Sequence, residues 1–410
     1  MTQPGVLTAE PAAPAAGARR NVLLWVIGNG VSVSGDAALW LALSIWVKDL
    51  TGSNGQAGLA FLAFIAPRLL TPFTAVLADR LPRRQLVVVL DLVLAAWVGL
   101  ALLVRGPQDV ALLYLVLVGV GLGSGLHHAA GGALLTRLVP RERLGQTNAL
   151  LRTVQEVGLL VAPAVGTALY VTLGARSVAI LDAATFLLCA GLVAAVRVRE
   201  PKAEPRARSW GAELVAGVVH IARTPRIREV VLAMGGATLA FGFFESVIFA
   251  VADEGLHRPA SFVGIATIAK GVGSVLGGLT AIRILRVLPA GREPRLTVLG
   301  LGLLAAGSTL MLVPAAGPVL AGVAVIGLGI PMAIIGLFTV AQHHTPQSLQ
   351  GRVSGSASTL VTAPQIVSVA VGAALIGSVD FRILLIVMAA AVVVAASYLW
   401  SRTVVVEVAR

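Results

Sequence analysis

Apolar runs of about 18 residues or more recur from Asn21 to Arg402, and each can cross roughly 30 Å of hydrocarbon at about 1.5 Å per helical residue. Lipid offers backbone groups no hydrogen-bond partner, so a spanning segment must be a helix or part of a closed barrel. No ten-residue alternating pattern suggests strands, which leaves helices. Twelve segments can be marked, at 21–47, 56–78, 85–104, 110–136, 147–173, 178–197, 229–252, 261–288, 296–313, 318–341, 353–378 and 382–402. Composition agrees, since only 12% of the 410 residues are charged against about 25% in soluble proteins. An all-α, multi-pass membrane protein is predicted, and a soluble enzyme is excluded.

An even number of spans puts both termini on one side. Of the 31 Lys and Arg residues, the loops opposite the termini hold only Lys48, Arg105, Arg176, Arg258 and Arg382. Arg68 and Lys270 lie within spans, and the other 24 fall on the terminal side. The positive-inside rule then places both termini in the cytoplasm of a cell (inner) membrane. The net charge of +12 is therefore a topology signal, and no nucleic-acid partner is expected. Residues 1–20 read as a disordered tail before an uncleaved first span, and 403–410 as a short C-terminal tail. Cys189 is the single cysteine, so no intrachain disulfide can form, and it reads as a small core residue.

The long polar stretch at 198–228 divides the chain into six-helix bundles at 21–197 and 229–402. Within it Trp210, Leu214, Val218, Ile221 and Ala222 recur at helical spacing, predicting an amphipathic helix on the cytoplasmic face. The two halves align at one offset of 206 residues: Gly58 on Gly264, Arg80 on Arg286, Gly121-Leu122-Gly123 on Gly327-Leu328-Gly329, and Gly166 on Gly372. Such parallel repeats mark transporter halves that rock about a midplane site.

Between the second and third spans the chain reads Ala75-Val76-Leu77-Ala78-Asp79-Arg80-Leu81-Pro82-Arg83-Arg84. This resembles the signature loop of the major facilitator superfamily, G-x-L-A-D-R-x-G-R-R, with Ala75 and Pro82 replacing the two glycines. Leu138 to Gly166 and His344 to Gly355 look like the branch containing enterobactin exporters and macrolide efflux proteins. Gly158, Pro163 and Gly166 are similar to the span-five signature of drug/proton antiporters, although Ala162 and Thr167 replace two of its glycines. The resemblance implies the twelve-helix major facilitator fold and proton-coupled efflux of a small amphiphilic molecule such as a drug, siderophore or metabolite. A monomer in the bilayer is expected, whose partners are substrate and protons. A proton-coupled importer of the same fold is the alternative, and a non-transporting scaffold or sensor is a more distant one. Physically, Asp79 at a helix end can meet the positive N-terminus of a helix from the other half, or Arg352, and so latch the cytoplasmic side.

Ionisable groups inside a span are costly and tend to have a partner or a function. Here they are Asp36, Arg68, Asp91, His127, His128, Arg152, Glu156, Asp182, Glu245 and Lys270. Asp36 and Arg68 both sit roughly 16–18 Å from the outer surface at about 1.5 Å per residue, so they can meet. Glu245 and Lys270 match in depth likewise. Together with Glu156, these four are the charge-pair and proton-coupling candidates. Asn29, Ser32 and Asp36 make a stripe on the first span, and Gly235, Thr238, Gly242 and Glu245 one on the seventh, so Asn29, Ser32 and Thr238 are expected in the cavity. The superfamily resemblance likewise implies a cavity lined by spans one, four, seven and ten. His127 and His128 are cavity candidates able to take protons near neutral pH, with only one of the two expected to face inward. Two adjacent histidines lack the i, i+4 spacing of a metal pair, so neither metal nor cofactor is expected. No phosphate-binding loop or catalytic nucleophile motif is present, so neither ATP-driven transport nor an enzyme is expected. Asp79, Arg80, Arg83, Arg84 and Arg352 complete the candidates as the gating-loop motif.

Overall fold

The computed structural model of the chain describes residues 16–70, 81–139, 141–198, 210–289, 291–346 and 349–408. The described residues are all helical or connecting. The first group comprises α1 (Ala16–Thr51), α2 (Asn54–Ile65), α3 (Arg83–Gly99), α4 (Val110–Leu138), α5 (Arg141–Leu173) and α6 (Ala175–Ala194). Then follow α7 (Trp210–Arg223), α8 (Pro225–Phe241), α9 (Phe244–Ala250), α10 (Phe262–Val287), α11 (Pro294–Leu310), α12 (Ala316–His343), α13 (Gln350–Leu375) and α14 (Phe381–Val408). Among the described residues nine helices are long and apolar enough to cross a membrane, with shorter apolar helices at Asn54–Ile65, Val157–Leu173 and Pro294–Leu310. α1 starts before the first apolar run and α14 runs past Arg402, since a helix need not stop where the hydrocarbon does.

Local chemistry sets the breaks. Gly52 and Gly174, at φ +71° and +81°, turn the chain between α1 and α2 and between α5 and α6, in a region only glycine enters freely. Ser53 caps α2 by accepting from the Gln56 amide. The seventh apolar segment is interrupted at Gly242, leaving α8 and α9 as two pieces. A Cβ on Gly242 would collide with Ser368 and the Gln365 carbonyl of α13, so glycine allows that close approach. α7 forms within the linker. It seats Ile221 in the core of the second group and Gly217 against the Arg352 backbone.

Packing repeats between the groups. α1 packs on α5 and α6, α3 on α4 and α6, and α2 on α4. In the later part α8 packs on α13 and α14, α11 on α12 and α14, and α10 on α12. These are equivalent pairs under the 206-residue offset. At atomic detail, a Cβ on Gly121 would strike the Phe64 carbonyl oxygen, and one on Gly327 the Lys270 carbonyl oxygen. Phe64 and Lys270 are themselves offset equivalents.

Each group has its own apolar clusters, and one cluster straddles both, joining Leu41, Ile45 and Ala57 to Val247, Ile248 and Leu385. It lies at the end of the bundle that carries Lys48. Two polar pairs cross between the groups there: Lys48 with Asp253 at 2.5 Å and Asn54 with Glu254 at 2.9 Å. The exterior is apolar. On α3, Val89, Leu92 and Val93 face outward while Asp91 is fully buried.

Candidate functional site

A cavity of about 450 Å³ opens inside the first group, and its lining residues come from α1, α2, α4, α5 and α6. Trp40 and Phe61 meet edge-on at 5.0 Å and, with Phe64 and Phe186, supply an aromatic wall. Its polar lining consists of Asn29, Ser32, Asp36, Ser124, His127, His128 and Gln155.

The polar side chains are connected. The His127 ring lies 2.8 Å from Asp91 through Nδ1 and 3.3 Å from the Asn29 amide nitrogen through Nε2. Gln155 donates to the Asn29 Oδ1 at 2.7 Å. With Asn29 donating to Nε2, Nδ1 carries the hydrogen and donates to Asp91. Four helices thus contribute to one buried string, Asp91–His127–Asn29–Gln155, and Trp25 stacks on the His127 ring at 5.7 Å. Separately, Ser124 donates to the Asp36 carboxylate at 2.5 Å. Asp182 is also fully buried, with Thr185 donating to it, beside the glycine, Gly35, that precedes Asp36.

Asn29, Ser32, Asp36 and His127 fall together at this cavity. His128 borders it too, against the expectation that only one of the adjacent histidines could. The rings leave α4 about 100° apart, and the cavity wraps that corner, with His127 buried in the wall and His128 exposed. Thr238 points elsewhere: its hydroxyl donates to the Val361 carbonyl of α13 at 2.8 Å. Glu245 and Lys270 do meet, at 3.7 Å, in an apolar pocket against Trp40 and Leu41 of α1, with the Lys270 ammonium 5.2 Å from the Phe244 ring centre. The side chains of Arg68 and Glu156, and all of Asp79 and Arg80, lie outside the described residues. Arg84 caps the C-terminus of α6 by donating to the Val193 and Ala194 carbonyls, and Arg83 opens α3. Gly158 and Gly166 let α5 lie against Ser34 and Ala38 of α1, and Pro163 is buried within α5. Asp91, Ser124, Gln155 and Asp182 received no role from sequence. Their only signal was polarity inside an apolar span.

Apolar helices long enough to cross a bilayer, packed around a cavity lined by polar and aromatic side chains, define a multi-pass membrane protein. The sequence model of the Major Facilitator Superfamily matches residues 25–369, and the chain belongs to that family. It is 28% identical over 189 residues to macrolide efflux protein A of Streptococcus pyogenes, a match covering 45% of this chain and 46% of that protein. It is 28% identical over 352 residues to multidrug efflux pump Tap of Mycolicibacterium fortuitum, covering 82% of each. Among solved structures, a bacterial homologue of the iron transporter ferroportin superposes in its inward-facing state with TM-score 0.74 at 19% identity, over 94% of this chain and 99% of that one. In its outward-facing state the TM-score is 0.62 at 20% identity, over 93% and 98%.

Proposed function

We propose that this transporter exports a small amphiphilic molecule, a drug, siderophore or metabolite, in exchange for protons by alternating access. The reading counts twelve spans in two six-helix pseudo-repeats, taking the three shorter apolar helices with the nine long ones. Equivalent helix pairs and the Gly121 and Gly327 contacts support it. Both termini and the 198–228 linker are placed in the cytoplasm of a cell (inner) membrane, and the chain works as a monomer. The Lys48 end is then the outer end. Its closure, and the better fit to an inward-facing than to an outward-facing neighbour, accord with a cavity open to the cytoplasm.

The observation that carries the reading is the cavity, whose lining combines aromatic rings with Asn29, Asp36, His127 and Gln155, a mixture suited to an amphiphile. Asp36 serves as the proton-accepting carboxylate beside the substrate, and Glu245 with Lys270 as a charge pair at matching depth. Neutralising either acid weakens its polar contacts and so biases the two states. Asp79 latches the cytoplasmic side in the outward-open state. Two relatives named for efflux favour export over import.

Inverted vesicles acidified inside test the function. A fluorescent lipophilic cation and a labelled macrolide are offered outside. Accumulation of at least one, collapsed by an uncoupler and absent from vesicles without the protein, is expected. No gradient-dependent accumulation of either, with import shown in right-side-out vesicles, would reverse the direction.

A further inference from the structure

Behind the cavity wall, three helices bring three different metal-ligating groups together. Asp91 of α3, His127 of α4 and Cys189 of α6 are all buried, and one ligand atom from each lies within 4.8 Å of the others. The second carboxylate oxygen of Asp91 is buried and has no hydrogen-bond partner among the described residues. Gly28 of α1 packs against Cys189, where a Cβ would stand only 3.4 Å from the sulfur. An acid sunk this far from water, met only by the His127 ring and the Cys189 thiol, is costly unless a cation meets it.

We propose that Asp91, His127 and Cys189 bind one divalent ion of the zinc class, reached from the cavity past His127. The donor set selects the ion: one sulfur, one nitrogen and one oxygen suit zinc or cobalt, whereas calcium and magnesium require mostly oxygens. Bond lengths of about 2.0–2.3 Å put tetrahedral ligand atoms about 3.3–3.7 Å apart, so the widest pair must close by about 1 Å. A water from the cavity side takes the fourth position.

Binding requires proton changes that balance. The Cys189 thiol loses its proton to solvent as the thiolate bonds the ion. The His127 proton moves from Nδ1, which becomes a ligand, to Nε2. One proton is released for each ion bound by the neutral imidazole. With Nε2–H now a donor, Asn29 must turn its oxygen towards the ring, and Gln155 must turn its amide in response. Occupancy therefore resets the hydrogen bonds that the polar wall presents to the cavity, and ties α3, α4 and α6 together.

Cys189 is the only cysteine in the chain, so a thiolate signal has a single source. The metal-stripped full-length protein in detergent is titrated with Co²⁺, and Zn²⁺ is then used to displace it. The expected result is one equivalent bound with a thiolate-to-cobalt charge-transfer band, bleached by zinc. Cys189→Ala should lose the band, while Asp91→Asn and His127→Gln should weaken binding at least tenfold. Zinc should raise the melting temperature of the unmutated protein and leave that of Cys189→Ala unchanged. The proposal is overturned if the unmutated protein takes up no cobalt, if it takes it up without a thiolate band, or if the band persists unchanged in Asp91→Asn and His127→Gln.

Discussion

Lys48 at the end of α1 and Asp253 beyond α9 are 205 positions apart in the chain and 2.5 Å apart in space. Lys48 also donates to the Gly52 carbonyl at 2.8 Å, so the ammonium is held in place as it bridges the two groups. Closure of this end thus depends partly on a polar clasp above the shared apolar cluster. Asp253 is 49% exposed, which limits the clasp to about 0.5–1 kcal/mol. Asp253→Asn should shift the ratio of open to closed states about twofold to fivefold. Modification rates of a cysteine placed at Ser53, in a Cys189→Ala background, read that shift. Exchanging the two charges should restore the original rate, and an unchanged rate in Asp253→Asn would remove the clasp from the gate.

The Glu245 and Lys270 pair lies deeper, with side chains 15% and 23% exposed. Breaking a buried pair by removing one partner costs about 3–5 kcal/mol, and partial exposure here lowers that figure. Lys270→Met and Glu245→Gln should each lower the melting temperature more than the double variant does. If the double variant regains stability but not proton-driven transport, the pair couples; if it regains both, the pair is structural. Strictly additive single effects would show that the two side chains do not interact.

The α1–α5 seam predicts a contrast between glycines. A Cβ on Gly166 would lie 2.9 Å from the Ala38 Cβ and close to its backbone, so Gly166→Ala should cost about 1–3 kcal/mol. Gly191 on α6 has nothing within 4 Å of such a Cβ, and Gly191→Ala should be neutral or stabilising by up to about 1 kcal/mol. Thermal melting of the two variants checks the order. Equal effects would mean that the close approach of α1 and α5 is not required.

At the start of α11, burial pushes the Glu293 carboxyl up, but hydrogen bonds from its own backbone, from Gly291 and from His343 at 3.0 Å outweigh it and hold it below its ordinary 4.5. A depressed folded value means that ionised Glu293 stabilises the fold at pH above 4.5, and that this contribution is lost as pH falls through the folded value. Glu293→Gln should lower the melting temperature at neutral pH, with the difference shrinking on acidification below pH 4.5. A difference that grew with acid would contradict the assignment.

The sequence carried the helices well because lipid imposes a simple demand, namely an unbroken apolar run with its own hydrogen bonds. It also carried Glu245 with Lys270, since counting residues from a span end gives depth. The interruption at Gly242 was not legible, because a glycine inside an apolar run reads equally as packing. The string from Asp91 to Gln155 was hidden for a different reason. Its members sit on four helices at unrelated positions, and only the packing of α1 against α4 and α5 brings Asn29 between His127 and Gln155.

Proton movement driven by substrate tests the central claim most directly. Purified protein is reconstituted in liposomes enclosing a pH-sensitive dye, with no imposed pH gradient, and a transported amphiphile identified in vesicles is added outside. Exchange by alternating access predicts internal alkalinisation proportional to substrate uptake, lost in Asp36→Asn while binding of the amphiphile is retained. Substrate uptake with no accompanying proton movement, or the same proton movement in Asp36→Asn, would contradict the account.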